Sequence, residues 1–305
     1  MKALWLTIIG LCFGISHRIG VGQSRSTVGK ARIEGNLYSQ ICYIENTDCF
    51  GVMFYANYPQ ILERAALSIK GIEDGSMRLA SFKRLKLQRP FSLGDHVSVE
   101  MSTGRNGRTF SFREKHGVDK VGAGGEAKAI GVQIGMGHNF LFKESMQVED
   151  LFQLKGFSGK RHKLSIRVHW DERHPCVRFQ NQPPLSTKAI FKYFERARTH
   201  MIGGPRALAA YQTDQSVLFL VGRIADYTLE HTSCPHDEII CHSSATPVGD
   251  SMTEILQVLA SPGGLVLAQA RVTLVCASPA DPLADIKSLQ TTKLPLQLKY
   301  ALYNS

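Results

Sequence analysis

The chain repeats itself. A helix-forming stretch carrying Leu62-Glu63-Arg64-Ala65 recurs as Phe194-Glu195-Arg196-Ala197. The last strand-like segments echo as well, Glu126-Ala127-Lys128-Ala129 beside Leu267-Ala268-Gln269-Ala270. Each copy reads as a strand, one long helix and then a run of antiparallel-type strands. The repeat length is roughly 130 residues, so the chain must fold as two helix-on-sheet units rather than as one extended core. Each unit has one apolar face to hide, and the other copy is the nearest partner for it.

The periodicities place the elements. In the first copy Tyr38 to Ile44 is strand-like, and Asn46-Thr47-Asp48-Cys49-Phe50-Gly51 has turn chemistry. Tyr58, Ile61, Leu62, Ala65, Ala66 and Ile69 recur at helical spacing, which predicts a helix over 57–70. Asn57 can cap that helix, Pro59 suits its first turn, and Gly71 ends it. Strands follow at 78–87, 96–102, 108–114 and 127–134, with a Gly-rich loop at Gly122–Gly125. In the second copy Leu164 to Trp170 is a strand and Thr187 to His200 a helix, with Ala189, Ile190, Tyr193, Phe194 and Ala197 on one face. Gly203-Gly204-Pro205 stops it. Strands over 216–229, 251–260 and 265–275 complete the set.

Composition excludes several classes. With 43% hydrophobic and 20% charged residues, the chain is an ordinary globular mixture and not a largely disordered one. The net charge of +10 favours polyanionic partners without choosing among them. Part of it sits in the first 33 residues, which weakens a nucleic-acid reading, and none is adopted. The seven cysteines are scattered, with no C-x-x-C pair, and read as free thiols in the core. Cys234, His236, Cys241 and His242 match no common zinc spacing, so no metal is assigned.

Residues 1–16 combine Lys2, an apolar run and small residues near Ser16, which is signal-peptide chemistry. Residues 17–33 hold Arg18, Arg25, Lys30 and Arg32 with no acid, which is transit-peptide composition. Together they predict the secretory route, or import into an organelle of plastid or mitochondrial type. No stretch is apolar for long enough to span a bilayer, so a soluble mature protein is expected.

The run Tyr43-Ile-Glu-Asn-Thr-Asp48-Cys-Phe-Gly51-Val-Met-Phe-Tyr55-Ala-Asn57-Tyr58, followed by Leu62-Glu63-Arg64-Ala65, resembles the hotdog-fold acyl-CoA thioesterases. Within them it is most similar to the 4-hydroxybenzoyl-CoA thioesterase group. The resemblance is good over about residues 34–135 and weaker over about 164–275. It implies an α+β double hotdog, two long helices each wrapped by an antiparallel β-sheet. The domains expected are hotdog 1 over 34–142, a linker over 143–163, hotdog 2 over 164–279 and a tail over 280–305. A fused pair of this kind can stand alone or pair again as a homodimer.

The resemblance also implies the chemistry. Asp48 matches the family's catalytic carboxylate, acting on the thioester as nucleophile or as general base. A backbone N–H near a helix start would polarise the carbonyl, which suits the unpaired donors found there. Tyr55 is the second catalytic candidate, lining the thioester pocket or orienting the carboxylate. Gly51, Val52 and Asn57 would contact substrate, and Lys83 and Arg84 would hold phosphates of CoA or of a carrier protein's phosphopantetheine arm. Each has a bland counterpart: a turn aspartate, a core aromatic, a capping asparagine and a solvated strand face. Glu63 and Arg64 read as a helix-surface pair or an interface anchor. No cofactor is required.

The sequence departs from the family at Asn46, where many relatives carry a second Asp, and at Tyr55, where others carry His. The second copy has no Asp–Gly turn before its helix and reads as degenerate, a wall of the site. Two rivals remain: a hotdog dehydratase, which needs a His paired with a carboxylate, and a non-catalytic acyl-binding or structural protein. No G-x-S-x-G, H-E-x-x-H or Walker sequence is present, which disfavours serine hydrolase, zinc protease and nucleotide triphosphatase readings.

Overall fold

In the computed structural model the described residues are 32–34, 37–42, 44–47, 53–69, 77–87, 91, 93–104, 107–114, 127–136, 146–157, 159–173, 185–231, 237–279 and 289–303. The leader and transit-like readings lie outside them, apart from residues 32 and 33. Among the described residues no helix is long and apolar enough to cross a membrane.

The strands are β1 (Arg32–Glu34), β2 (Leu37–Ile41), β3 (Met77–Lys86), β4 (His96–Gly104), β5 (Gly107–Glu114), β6 (Ala127–Met136), β7 (Arg161–Arg167), β8 (Leu218–Leu229), β9 (Glu238–Pro247), β10 (Met252–Ala260), β11 (Val266–Pro279) and β12 (Leu289–Thr291). They join in one antiparallel sheet of order β1-β2-β4-β5-β6-β3-β8-β11-β10-β9-β7, with β12 added on β11. The ladder of β3 on β8 is the seam that joins β1–β6 to the later strands, with Phe82 opposite Tyr227 and Leu85 opposite Ile224. The helices are α1 (Asn57–Ile69), α2 (Val148–Leu154), α3 (Thr187–Met201), α4 (Pro205–Gln215) and α5 (Leu296–Tyr303).

The apolar spacing explains how α1 and α3 pack. Tyr58, Ile61, Leu62, Ala65 and Ala66 of α1 are buried, as are Ala189, Ile190, Tyr193, Phe194 and Ala197 of α3. Both helices share one core cluster with β-strand residues Leu79, Phe82, Leu85, Ile224 and Tyr227. Ser186 caps α3, its Oγ accepting from the Ala189 N–H at 3.1 Å.

The copies match in detail before their helices. A single 3-10 turn, Ile44–Asn46, follows β2, and another, Trp170–Glu172, follows β7. Thr47 bridges Met53, and Arg173 bridges Leu185. Phe54 N–H donates to Asn46 O at 2.9 Å, and Ser186 N–H donates to Glu172 O at 2.9 Å. Cys42 N–H donates to Asp95 O and Val168 N–H to Asp237 O, each at 2.8 Å. The two 3-10 turns are therefore pinned the same way ahead of α1 and α3.

Glu63 is not a surface residue. It is 7% exposed, and its Oε1 accepts the Leu79 N–H at 2.9 Å, tying α1 to β3. A carboxylate is tolerated there because it takes up a buried strand donor. Glu63→Leu should therefore lower stability by about 1–3 kcal/mol, since it strands that N–H, and Glu63→Gln by less. Chemical denaturation with unchanged m-value checks this.

Four segments hold more structure than the sequence suggests, the first being β9 (Glu238–Pro247), which lies between the strands expected at 216–229 and 251–260. Residues 143–163, read above as linker, contain α2 and the start of β7. Val148, Leu151 and Phe152 of α2 pack with Leu256, Val258, Ala260 and Val266. Helix α4 opens at Pro205, which the sequence reading took only as a stop. The tail adds β12 and α5, with Leu294, Leu298 and Leu302 at four-residue spacing packed against Met201, Tyr211 and Cys276.

His242 of β9 is 6% exposed, and its Nδ1 has no hydrogen-bond partner. Burial, then Lys163 and Arg161, hold its pKa below 6.5, against the opposing pull of Glu149. His162 is held down by burial, Lys160 and His200, against carbonyls of Leu302 and Ala301. On acidification through about pH 6.5 the unfolded chain takes up protons that these folded imidazoles refuse, so stability is full above that pH and falls below it. The melting temperature should drop between about pH 7.5 and about pH 5.5, with a smaller drop in His242→Gln.

Candidate functional site

The candidate site lies where the first 3-10 turn meets the start of α1. Asp48, Gly51 and Val52 fall outside the described residues, but both ends of their loop are fixed. Thr47 and Met53 form an antiparallel bridge. Asn46 O accepts the Phe54 N–H and also the side-chain amide of Asn57, the latter at 2.8 Å. Asn57 is thus the first residue of α1 and clamps the turn, where the sequence had suggested a cap. Its Oδ1 is buried and has no hydrogen-bond partner among the described residues. An unused acceptor of this kind in a native fold needs an explanation, and a bound water or ligand donor is one.

The donors at this helix start can be accounted for. Met53 N–H goes to Phe91 O at 2.6 Å, Asn57 N–H to Phe54 O at 2.9 Å and Tyr58 N–H to Tyr55 O at 3.2 Å. Among the described residues the N–H groups of Tyr55 and Ala56 have no acceptor. Two adjacent donors at the positive end of α1, without an acceptor among the described residues, favour a developing negative charge.

Tyr55 sits between the loop and α1, 8% exposed. Its hydroxyl donates to the main-chain O of Phe191 in α3, in the other copy. The guanidinium of Arg198 lies 4.7 Å from its ring centroid. Burial pushes the phenol far above its ordinary pKa, although Arg198 pulls the other way. A neutral phenol committed to a carbonyl can wall a pocket and fix the loop that follows it.

In the second copy Glu172 stands where Asn46 stands in the first. Its carboxylate accepts from Tyr193 Oη, from Arg196 at 2.9 Å and from the His169 N–H at 3.1 Å. Burial raises its pKa, but those donors outweigh it and hold the carboxyl below the usual range. So the second copy does place a carboxylate in this turn, with its oxygens already taken up by the fold. In the sequence Asp171 and Glu172 end the first strand of this copy, and the insertion from His174 to Thr187 hides the match to Asn46.

Lys83 and Arg84 are exposed on β3 at the seam. The described contacts join neither to Tyr55 nor to Asn57. Cys241 and His242 are successive residues of β9 and so point to opposite faces of the sheet, while Cys234 and His236 lie outside the described residues. Among the described residues no group of His, Cys, Asp or Glu could hold a metal ion. Cys42, Cys241 and Cys276 are free and buried.

No protein-family model and no curated protein matches the sequence. Solved structures do resemble the fold. The dehydratase domain of PpsC from Mycobacterium tuberculosis, in complex with C12:1-CoA, superposes with a TM-score of 0.51 at 13% identity, over 82% of this chain and 98% of that one. A protein assigned as a thioesterase, from Novosphingobium aromaticivorans, gives 0.51 at 13% identity, over 80% and 97%. The dehydratase domain from the CurJ module of curacin polyketide synthase gives 0.52 at 11%, over 82% and 97%. The fold is a hotdog. Hotdog neighbours of both kinds, thioesterase and dehydratase, share this architecture, so the fold does not choose between their reactions.

Proposed function

We propose that this hotdog chain is a double hotdog, copies over 34–142 and 164–279, that hydrolyses an acyl thioester of CoA or of a carrier protein. The observation that carries the reading is the helix start: two N–H groups, Tyr55 and Ala56, without an acceptor among the described residues, close in sequence to Asp48 and following the Thr47–Met53 bridge. The thioester carbonyl oxygen would accept from those donors. The Asp48 carboxylate would either attack the carbonyl carbon, giving a mixed anhydride that water then cleaves, or take a proton from an attacking water. Either way the C–S bond breaks and the thiolate leaves. As the carbonyl oxygen gains charge, preorganised N–H donors stabilise it more than they do the ground state. Asn57 Oδ1 offers an acceptor for the water.

Tyr55 positions this arrangement and exchanges no proton. The second copy supplies the wall through Phe191 and Arg198. Lys83 and Arg84 remain the proposed contacts for the CoA or phosphopantetheine phosphates. The test is thiol release by the full chain from short, long and aromatic acyl-CoAs and from acyl carrier protein, with hydration of an enoyl thioester alongside. Thiol release supports the thioesterase. Hydration without thiol release would replace it with the dehydratase, and neither activity would leave acyl binding alone.

A further inference from the structure

Arg198 is the largest side chain buried almost completely in the described fold, at 2% exposure. Taking a guanidinium out of water is expensive unless every donor finds a partner. Its Nη1 donates to Gln257 Oε1 at 2.5 Å and its Nη2 to Glu195. Gln257 is itself fixed, its Nε2 donating to Phe194 O at 2.8 Å and to Ser243 Oγ at 3.3 Å. Burial works against the charge, but the Glu195 carboxylate and the electron-rich face of the neutral Tyr55 ring favour it, so Arg198 stays protonated.

Its neighbour from the other copy among these partners is Tyr55. The ring is held face-on by the cation and the hydroxyl is held by Phe191 O, so α3 grips Tyr55 at two points. The arrangement is one-sided. By the alignment of Leu62-Glu63-Arg64-Ala65 with Phe194-Glu195-Arg196-Ala197, the position of Arg198 is Ala66 in α1 and the position of Tyr55 is Thr187, the first residue of α3. No mirror-image pair exists. The second copy therefore carries a buried cation whose reach ends at the helix start of the first copy.

We infer that Arg198 is a positioning residue for the site in front of α1. It acts through the Tyr55 ring, which orients the N–H groups of Tyr55 and Ala56. It is too deeply buried to touch substrate. This rests on the proposed thioesterase site. It gives the second copy a defined task in place of simple decay.

The test uses the full chain with Arg198→Met and Arg198→Lys. Arg198→Met should lower kcat by about 30-fold with KM within about twofold, because misplacement of a reacting geometry acts on turnover rather than on binding. Arg198→Lys should lie between, keeping a cation over the ring without the planar fork. Tyr55→Leu should cost about as much as Arg198→Met, and adding it to Arg198→Met should cost little more. Amide exchange at Tyr55 and Ala56 should quicken in Arg198→Met while the β10–β11 amides stay protected. If Arg198→Met does not fold, Arg198→Lys and Tyr55→Leu carry the same comparison. A folded Arg198 variant with wild-type kcat, a change in KM alone, or unaltered exchange at Tyr55 and Ala56 overturns the inference. If wild type releases no thiol, the functional reading fails, and the exchange comparison decides the coupling by itself.

Discussion

Asp48→Asn should abolish most thioester hydrolysis, by about a thousandfold in kcat, with the chain still folded. The size follows from the role. Positioned general bases contribute about a hundred- to ten-thousandfold, and a carboxylate nucleophile at least as much. Asparagine keeps the shape and can still accept a hydrogen bond, so the change removes charge and not bulk beside the Thr47–Met53 bridge. What is lost is the negative charge that attacks or takes the proton. The N–H groups of Tyr55 and Ala56 remain, so residual turnover above the uncatalysed rate measures their share. KM should change little. Thiol release by wild type and Asp48→Asn, with circular dichroism and melting temperature on both, makes the comparison. Equal turnover in the two would remove Asp48 from the site whatever the fold, and a parallel loss of melting temperature would assign the residue to the turn.

Burial periodicity and the Glu-Arg-Ala echo are both legible in the sequence. The helices at 57–69 and 187–201 and most strands followed from spacing alone. The polar groups inside the fold did not. Glu63 and Glu195 hold the same place in the repeat, yet one binds a strand N–H and the other a buried guanidinium. Arg196 and Arg198 sit two residues apart and look alike in sequence. Arg196 is half exposed, at 47%, and meets Glu172, whereas Arg198 is enclosed. Which arginine turns inward depends on Gln257 and Tyr55, far away in the chain, and no local pattern carries that. Helix α4 was hidden for another reason: Gly203-Gly204-Pro205 ends one helix and begins the next, and the second is only weakly amphipathic, with Tyr211 its buried residue.

Phe191→Ala should be the most destabilising single change in the core, and it should injure the site from a distance. Phe191 is fully buried and meets Tyr55, Phe82, Phe194 and Tyr227, at ring separations of 6.5, 6.3, 5.7 and 5.1 Å. These residues come from both sides of the β3–β8 seam, so one ring closes the contact between the copies. Removing it takes away apolar burial and leaves a cavity bounded by rigid strands and helices that cannot collapse into it. The expected loss is about 3–5 kcal/mol. For a unit of this size that is about 10 °C in melting temperature. Phe191→Leu should lose less, since the branched side chain refills part of the space. The backbone carbonyl of residue 191 persists in both variants, so Tyr55 keeps its hydrogen-bond acceptor but loses the edge of the ring beside it. Turnover should therefore fall in Phe191→Ala at temperatures where the chain is still folded, while Phe152→Ala, in the separate cluster under α2, should cost stability without that loss. A Phe191→Ala protein as stable as wild type would mean that the two copies are held together by the strand ladder alone.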